Sequence, residues 1–210
     1  MTGSMNKIEK YLDKLIPNPK CELEYNKDYE LLLATMLSAQ TTDKRVNQVT
    51  KILFSKYPTL KQLASADIDD VMEIIRPIGT FQKKSKNVIE IARILNEKQD
   101  GKVPNDRCFL ESLPGVGRKT TNVVLSNLFN VPCIAVDTHV ARVCKRLDLA
   151  KESDTPFEIE KKISKKFKKI ELCKRHHQLV LFGRYYCKAR NPMCISCELK
   201  DICQHYKKSN

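Results

Sequence analysis

Four cysteines crowd into seventeen residues near the C-terminal end, as Cys187-x6-Cys194-x2-Cys197-x5-Cys203, and this limits what the chain can fold into. Thiols this close either pair as disulfides or converge on a metal. MTGSMNKIEK at the N-terminus has no apolar signal core, and no apolar run reaches the ~20 residues of a membrane-spanning helix. An intracellular, reducing setting is therefore expected, and there a cysteine cluster binds metal. A four-thiolate site suits tetrahedral zinc and an iron–sulfur cluster alike. The irregular spacing, without a pair of CxxC knuckles, argues against a zinc ribbon. Between the first two thiols lies the basic loop Lys188-Ala189-Arg190-Asn191-Pro192-Met193, suited to phosphate contacts; the bound metal would staple this loop and the C-terminal tail. The other five cysteines, Cys21, Cys108, Cys133, Cys144 and Cys173, stand singly and are expected to be small buried hydrophobes.

The rest of the chain has a helical period. Ile8, Tyr11, Leu12 and Leu15 fall at i, i+3, i+4 and i+7, as do Val88, Ile91, Ala92 and Leu95. Leu31 to Leu37 is apolar nearly all round, which predicts a buried helix. Thr155-Pro156-Phe157-Glu158 is a capping box with proline at the first helical position. Prolines and glycines cut the chain into helix-length segments. Short β-branched runs such as Ile134-Ala135-Val136 lack the alternation a sheet needs, so the expected fold class is all-α. Residues 1–4 read as a remnant of cloning, with Met5 as a native start.

The chain carries 38 Lys+Arg against 25 Asp+Glu, a net charge of +13, which favours a polyanionic partner. A place for that partner is Leu113-Pro114-Gly115-Val116-Gly117-Arg118-Lys119. Its glycines permit positive φ and leave the backbone bare, and the helix that follows aims unpaired N–H groups outward at a phosphate oxygen. An ordinary turn between two helices fits the same residues; the basic chain favours a DNA-binding helix–hairpin–helix. Lys119, early in that second helix, is expected in an electropositive, partly desolvated setting that would free its amine as a nucleophile. Eighteen residues on, Asp137 in Val136-Asp137-Thr138-His139 reads equally as a helix N-cap or as a carboxylate that stabilises positive charge on a sugar.

Taken together, Leu37-Ser38-Ala39-Gln40-Thr41-Thr42-Asp43, Leu113 to Thr120, Val136 to His139 and the four-cysteine signature resemble the endonuclease III branch of the helix–hairpin–helix DNA glycosylases, over roughly Leu31 to Cys203. The resemblance implies two helical lobes with a DNA groove between them. One is a six-helix barrel containing the hairpin, about 22–132; the other joins 5–21 to 133–210 and carries a [4Fe–4S] cluster. It implies a base excision repair enzyme that removes oxidised pyrimidines from damaged double-stranded DNA and nicks the abasic site by β-elimination; a monomer in the cytoplasm, nucleoid-associated, is assumed. Its nucleophile falls on Lys119, its carboxylate on Asp137, and its cluster ligands on Cys187, Cys194, Cys197 and Cys203. Such an enzyme extrudes its target nucleotide and fills the gap with side chains. The gap-filling glutamine matches Gln40. The wedge position, often leucine in relatives, is Thr80 here, followed by Phe81, and Phe81 or the turn backbone is expected to take over. Gly115, Gly117, Arg118, His139, Lys188 and Arg190 complete the expected DNA contacts. Thr121 stands where relatives commonly have alanine.

Two other readings bear on the same residues. A non-catalytic DNA-binding module with a structural zinc site would explain the charge, the hairpin and the thiols. A monofunctional adenine glycosylase would share the hairpin and the cluster. It would, however, lack the nucleophilic lysine, place a glutamate where this chain has Ala34, and carry a further domain where only seven residues follow Cys203.

Overall fold

The computed structural model describes residues 3–209, and among them it holds twelve α-helices and no strand, as the all-α expectation required. Met1 and Thr2, part of the segment read as a cloning remnant, lie outside the described residues; Gly3 and Ser4 open the first helix. The chain divides into two compact units. One runs from Cys21 to Phe129, and the other joins the residues up to Lys20 to those from Asn130 onward.

The first unit is built around α2 (Asp28–Leu37), whose residues Tyr29 to Leu37 are all buried. Helices α3 (Asp43–Lys56), α6 (Phe81–Gln99) and α8 (Arg118–Phe129) pack against it. A helix that is apolar on every side cannot face water, so it becomes the axis of its unit. Around α6 lie the short helices α4 (Leu60–Ala64) and α5 (Ile68–Ile75); Val88, Ile91, Ala92 and Leu95 form its buried stripe, as their spacing predicts. The unit closes with α7 (Arg107–Ser112), which packs on α8.

In the second unit, α1 (Gly3–Leu15) buries Met5, Ile8, Tyr11 and Leu12 in one core with residues of α9 (Thr138–Arg146), α10 (Pro156–Lys166) and α11 (Leu172–Leu181). A π-helical turn, Phe182–Tyr186, extends α11, and α12 (Gln204–Ser209) ends the described chain. The capping box at Thr155 forms as expected: its side chain accepts from the Glu158 amide, and the Glu158 carboxylate accepts from the Thr155 amide at 2.8 Å.

The N-terminal helix is tied to a segment more than 160 residues away by a buried polar knot. Arg175, 2% exposed, donates to both carboxylate oxygens of Asp13 (2.8 and 3.1 Å) and to Glu171 (2.8 Å). Gln178 donates to the Leu12 and Ile16 carbonyls (3.1 and 2.9 Å) and so satisfies the C-terminal end of α1. Two exposed ion pairs, Lys7–Asp201 and Lys14–Glu198, also bridge the ends, but such pairs contribute at most about 1 kcal/mol each. The knot is the stronger tie, because unpairing a buried guanidinium exposes its full desolvation cost.

Burial alone would raise the Asp13 carboxyl, but its bonds to Arg175, Lys174 and Gln178 outweigh that and hold it well below the usual carboxylate range. A carboxyl depressed in this way stabilises the fold above the unfolded carboxylate pKa of about 3.9, and that contribution is lost as the pH falls toward the folded value. Because the Asp13 side chain is 40% exposed and Glu171 still serves Arg175, solvent screening reduces the effect, and Asp13→Asn should cost about 1 kcal/mol at pH 7. In urea titrations across pH, the deficit should shrink below about pH 4.

Candidate catalytic hairpin, capping aspartate and cysteine site

The hairpin begins with Asp106, which caps α7 by accepting from the Phe109 amide (3.1 Å). Arg107 then spans the two helices, donating to Glu111 on α7 (2.9 Å) and to the buried Asn122 on α8 (2.7 Å). Leu110, Leu113 and Val116 turn inward, which leaves Gly115, Gly117, Arg118 and Lys119 on the outer side, all exposed. Only Gly115 uses its conformational freedom. It has φ +76°, and a Cβ there would collide with the Asn87 amide. Gly117, expected to share that role, lies outside the left-handed region; an added Cβ would meet open space, so its bareness is a matter of access rather than of φ. The Gly117 carbonyl accepts from the Thr121 amide (3.0 Å), which makes Arg118, Lys119 and Thr120 the first turn of α8. Thr121 itself is fully buried.

Lys119 is exposed, which corrects the expectation of a partly desolvated lysine: with Gly117 and Arg118 it lies on the solvent side of the first turn of α8. Asp137 is half-buried and is the N-cap of α9; its Oδ1 accepts from the Val140 amide at 2.8 Å. The cap uses one oxygen and leaves Oδ2 outside it, so the capping and chemical readings coexist. Two residues on, His139 accepts at Nδ1 from Arg142 (3.2 Å), which places the ring proton on Nε2.

Two further expected contacts sit at turns with left-handed backbone. Gln40 has φ +57° and Thr80 φ +58°, both exposed, whereas Phe81 opens α6 half-buried. Thr80 Oγ1 donates to the Gly79 carbonyl at 2.6 Å.

Cys187, Cys194, Cys197 and Cys203 line one recess, partly open to solvent, together with Tyr11, Phe182 and Tyr186. Among the described residues no three His, Cys, Asp or Glu side chains gather closely enough to hold a single ion. Successive turns aim them inward: the Cys187 amide donates to Phe182 O (2.7 Å), the Met193 amide to Tyr186 O (3.0 Å) and the Cys197 amide to Cys194 O (3.2 Å). Burial pushes the Cys187 and Cys197 thiols up. Lys188 and Arg190 are exposed on the loop between the first two. Of the single cysteines, Cys133 and Cys144 are buried as expected and Cys21 and Cys173 partly so. Cys108 is exposed, because α7 turns Leu110 inward and leaves Cys108 on its outer side.

Two residues that motif reading passed over organise this site. On α9, Arg142 donates to the Cys187 carbonyl (3.0 Å) and the Gly183 carbonyl (2.6 Å). One turn later Arg146 reaches the Cys187 sulfur (3.3 Å) and the Lys188 carbonyl (2.8 Å). Gly183 permits this approach, since a Cβ there would stand 2.9 Å from the His139 Cβ. Their i, i+4 spacing after Asp137 was the available signal, indistinguishable in sequence from a basic last helical turn.

The two hairpin glycines should separate in stability. Gly115→Ala should cost about 1–3 kcal/mol in denaturant unfolding, from its positive φ and the Asn87 collision. Gly117→Ala should cost within about 1 kcal/mol.

Comparison with known proteins places this geometry. Residues 33–169 match the family model for HhH-GPD superfamily base excision DNA repair proteins. Endonuclease III of Bacillus subtilis (strain 168) is 43% identical over 208 residues, covering 98% of this chain and 95% of the relative. A solved non-covalent endonuclease III–DNA complex superposes with TM-score 0.93 at 43% identity, covering 100% of this chain and 99% of that one. A trapped endonuclease III–DNA covalent intermediate does so with TM-score 0.92 at 44% identity, covering 98% of each. With its helix–hairpin–helix, all-α fold and near full-length similarity, the chain belongs to the endonuclease III family of base excision DNA repair proteins.

Proposed function

We propose that Lys119 and Asp137 carry the chemistry of this chain, a DNA glycosylase and abasic-site lyase of base excision repair, and that its substrates are oxidised pyrimidines in duplex DNA. The observation that carries this reading is the capped hairpin that presents Lys119 on the exposed first turn of α8. That a related endonuclease III has been trapped as a covalent DNA intermediate supports a nucleophile of this kind.

The Lys119 amine attacks the sugar C1′ of an extruded nucleotide, and the glycosidic bond breaks as the base departs with its electron pair and takes up a proton. The amine loses its own proton and the sugar ring opens, leaving a Schiff base. This iminium acidifies the C2′ proton, whose removal expels the 3′ phosphate by β-elimination and nicks the strand. Asp137, rigid as a helix cap, stabilises the oxocarbenium-like charge and takes up or returns the lysine proton. Because Lys119 is exposed in the free chain, bound DNA supplies the desolvation that the protein's own packing does not. Gln40 fills the vacated stack and the Thr80–Phe81 turn wedges it open. Gly115, Gly117, Arg118, His139, Lys188 and Arg190 contact the backbone.

The four cysteines fit a [4Fe–4S] cluster. Four thiolates lining one recess are the donor set of such a cluster, and their irregular spacing in sequence, without paired CxxC knuckles, speaks against a zinc ribbon. When bound, the cluster supplies four iron–thiolate bonds that staple the 187–203 segment. Arg146 and Arg142 hold Cys187 toward it from α9.

Borohydride added to the protein on a duplex with one oxidised thymine should give a covalent protein–DNA band. Lys119→Ala should abolish the band and slow nicking roughly 10³-fold or more while duplex binding persists. Asp137→Asn, which can still cap α9, should slow turnover about 10²–10⁴-fold without unfolding. A Lys119→Ala protein that still traps fully would refute the assignment. The purified protein should be brown and carry about four iron atoms per chain, and Cys197→Ser should lose both. A colourless protein with one zinc would reject the cluster.

A further inference from the structure

Lys84 stands out among the basic residues. It lies on α6 with 5% of its surface exposed, and no carboxylate is among its hydrogen-bond partners. Its Nζ donates to the Leu37 carbonyl (2.9 Å), the Ala39 carbonyl (2.7 Å) and Thr41 Oγ1 (3.4 Å). The first of these is an unpaired carbonyl at the C-terminal end of α2, where a cation is favoured. The other two bracket Gln40, one on each side. Burial lowers the Lys84 ammonium pKa, so the site tolerates the charge only because three oxygens surround it.

The same residue closes the second turn. The Lys84 amide donates to the Thr80 carbonyl at 3.1 Å, the first bond of α6. Thr80 has a left-handed backbone, receives no capping bond on its side chain and, like Gln40, is exposed. Two strained, outward-pointing residues from turns 40 positions apart are thus each held by one lysine, through its side chain and its main chain. Non-glycine residues at positive φ cost about 1 kcal/mol or more each and persist only where neighbours enforce them.

We infer that Lys84 is a positioning residue, a latch that fixes the Gln40 turn relative to the Thr80 turn so that both enter the DNA stack together. The inference rests on the proposed gap-filling and wedging roles of those turns. Lys84 touches no substrate; it sets where the residues that do are held. A latch of this kind matters only when a nucleotide must be taken out of a stacked duplex.

The test compares two substrates on the full-length protein. Lys84→Met keeps the length of the side chain and removes the donors. It should slow excision from duplex DNA about 10- to 100-fold, as small misplacements at a positioned site do. β-Elimination at an abasic site in single-stranded DNA, which needs no extrusion, should be unchanged. The Thr41 amide, which closes the 38–41 turn on Ser38 O, should exchange its hydrogen faster in the variant. Equal rates on both substrates and unchanged exchange would overturn the latch. So would a parallel loss on both, which would make Lys84 only a folding residue. Gln40→Ala separates the underlying reading. If it leaves duplex excision unaffected, the gap-filling role fails, and faster Thr41 exchange in Lys84→Met then still supports the latch on the turn. If Gln40→Ala slows duplex excision and Lys84→Met does not, the latch alone is wrong.

Discussion

An α-helix leaves the N–H groups of its first turn and the carbonyls of its last without partners, and in an all-helical chain every such end must be met by something. The candidate functional residues gather at these ends. Lys119 lies in the first turn of α8, and Asp137 caps α9. Gln40 follows the last turn of α2, Thr80 precedes the first turn of α6, and Cys187 ends the π-helical turn after α11. Helix ends combine rigid placement with backbone groups turned toward solvent. They are the natural places to meet a phosphate backbone without loosening the core.

In the unit that carries the cysteines, α9 is the common support. Its first residue-pair contact is the Asp137 cap, and its later turns hold Cys187 through Arg142 and Arg146. Because Gly183 lets the π-helical turn press against His139, the cysteine segment and the capped end of α9 share one short, stiff path. The knot of Asp13, Arg175 and Gln178 joins α1 to α11 in the same unit, so that Tyr11 reaches the cysteine recess. In this unit polar bonds do the joining at the seams and apolar burial fills the interior, a division that follows from the cost of leaving either a buried charge or a buried carbonyl unpaired.

Much of this was legible in the amino-acid order. The 3.6-residue period of Val88 to Leu95, the all-apolar run of α2 and the capping box at Thr155 are local patterns, and local patterns survive folding. Asp137 was legible as a cap for the same reason. The exposure of Lys119 was not, because desolvation depends on what packs over a helix end rather than on the residues within it. Nor was the exposure of Cys108, since a two-turn helix has too few residues for its apolar face to be read from spacing.

The sequence by itself determined the helical class, the glycine-bearing turn before α8 and the order of the four cysteines, all of which rest on neighbours within one or two helical turns. Only the tertiary structure decided which of the 38 basic residues matter for position. Lys84 meets carbonyls 45 and 47 residues away, Arg146 meets a sulfur 41 residues away, and Arg175 meets Asp13 across 162. Nothing in the side chain of a lysine or an arginine distinguishes a solvated one from a buried one. The distinction is made by which unpaired backbone oxygens the fold brings within reach, and those are assembled from segments the sequence keeps far apart.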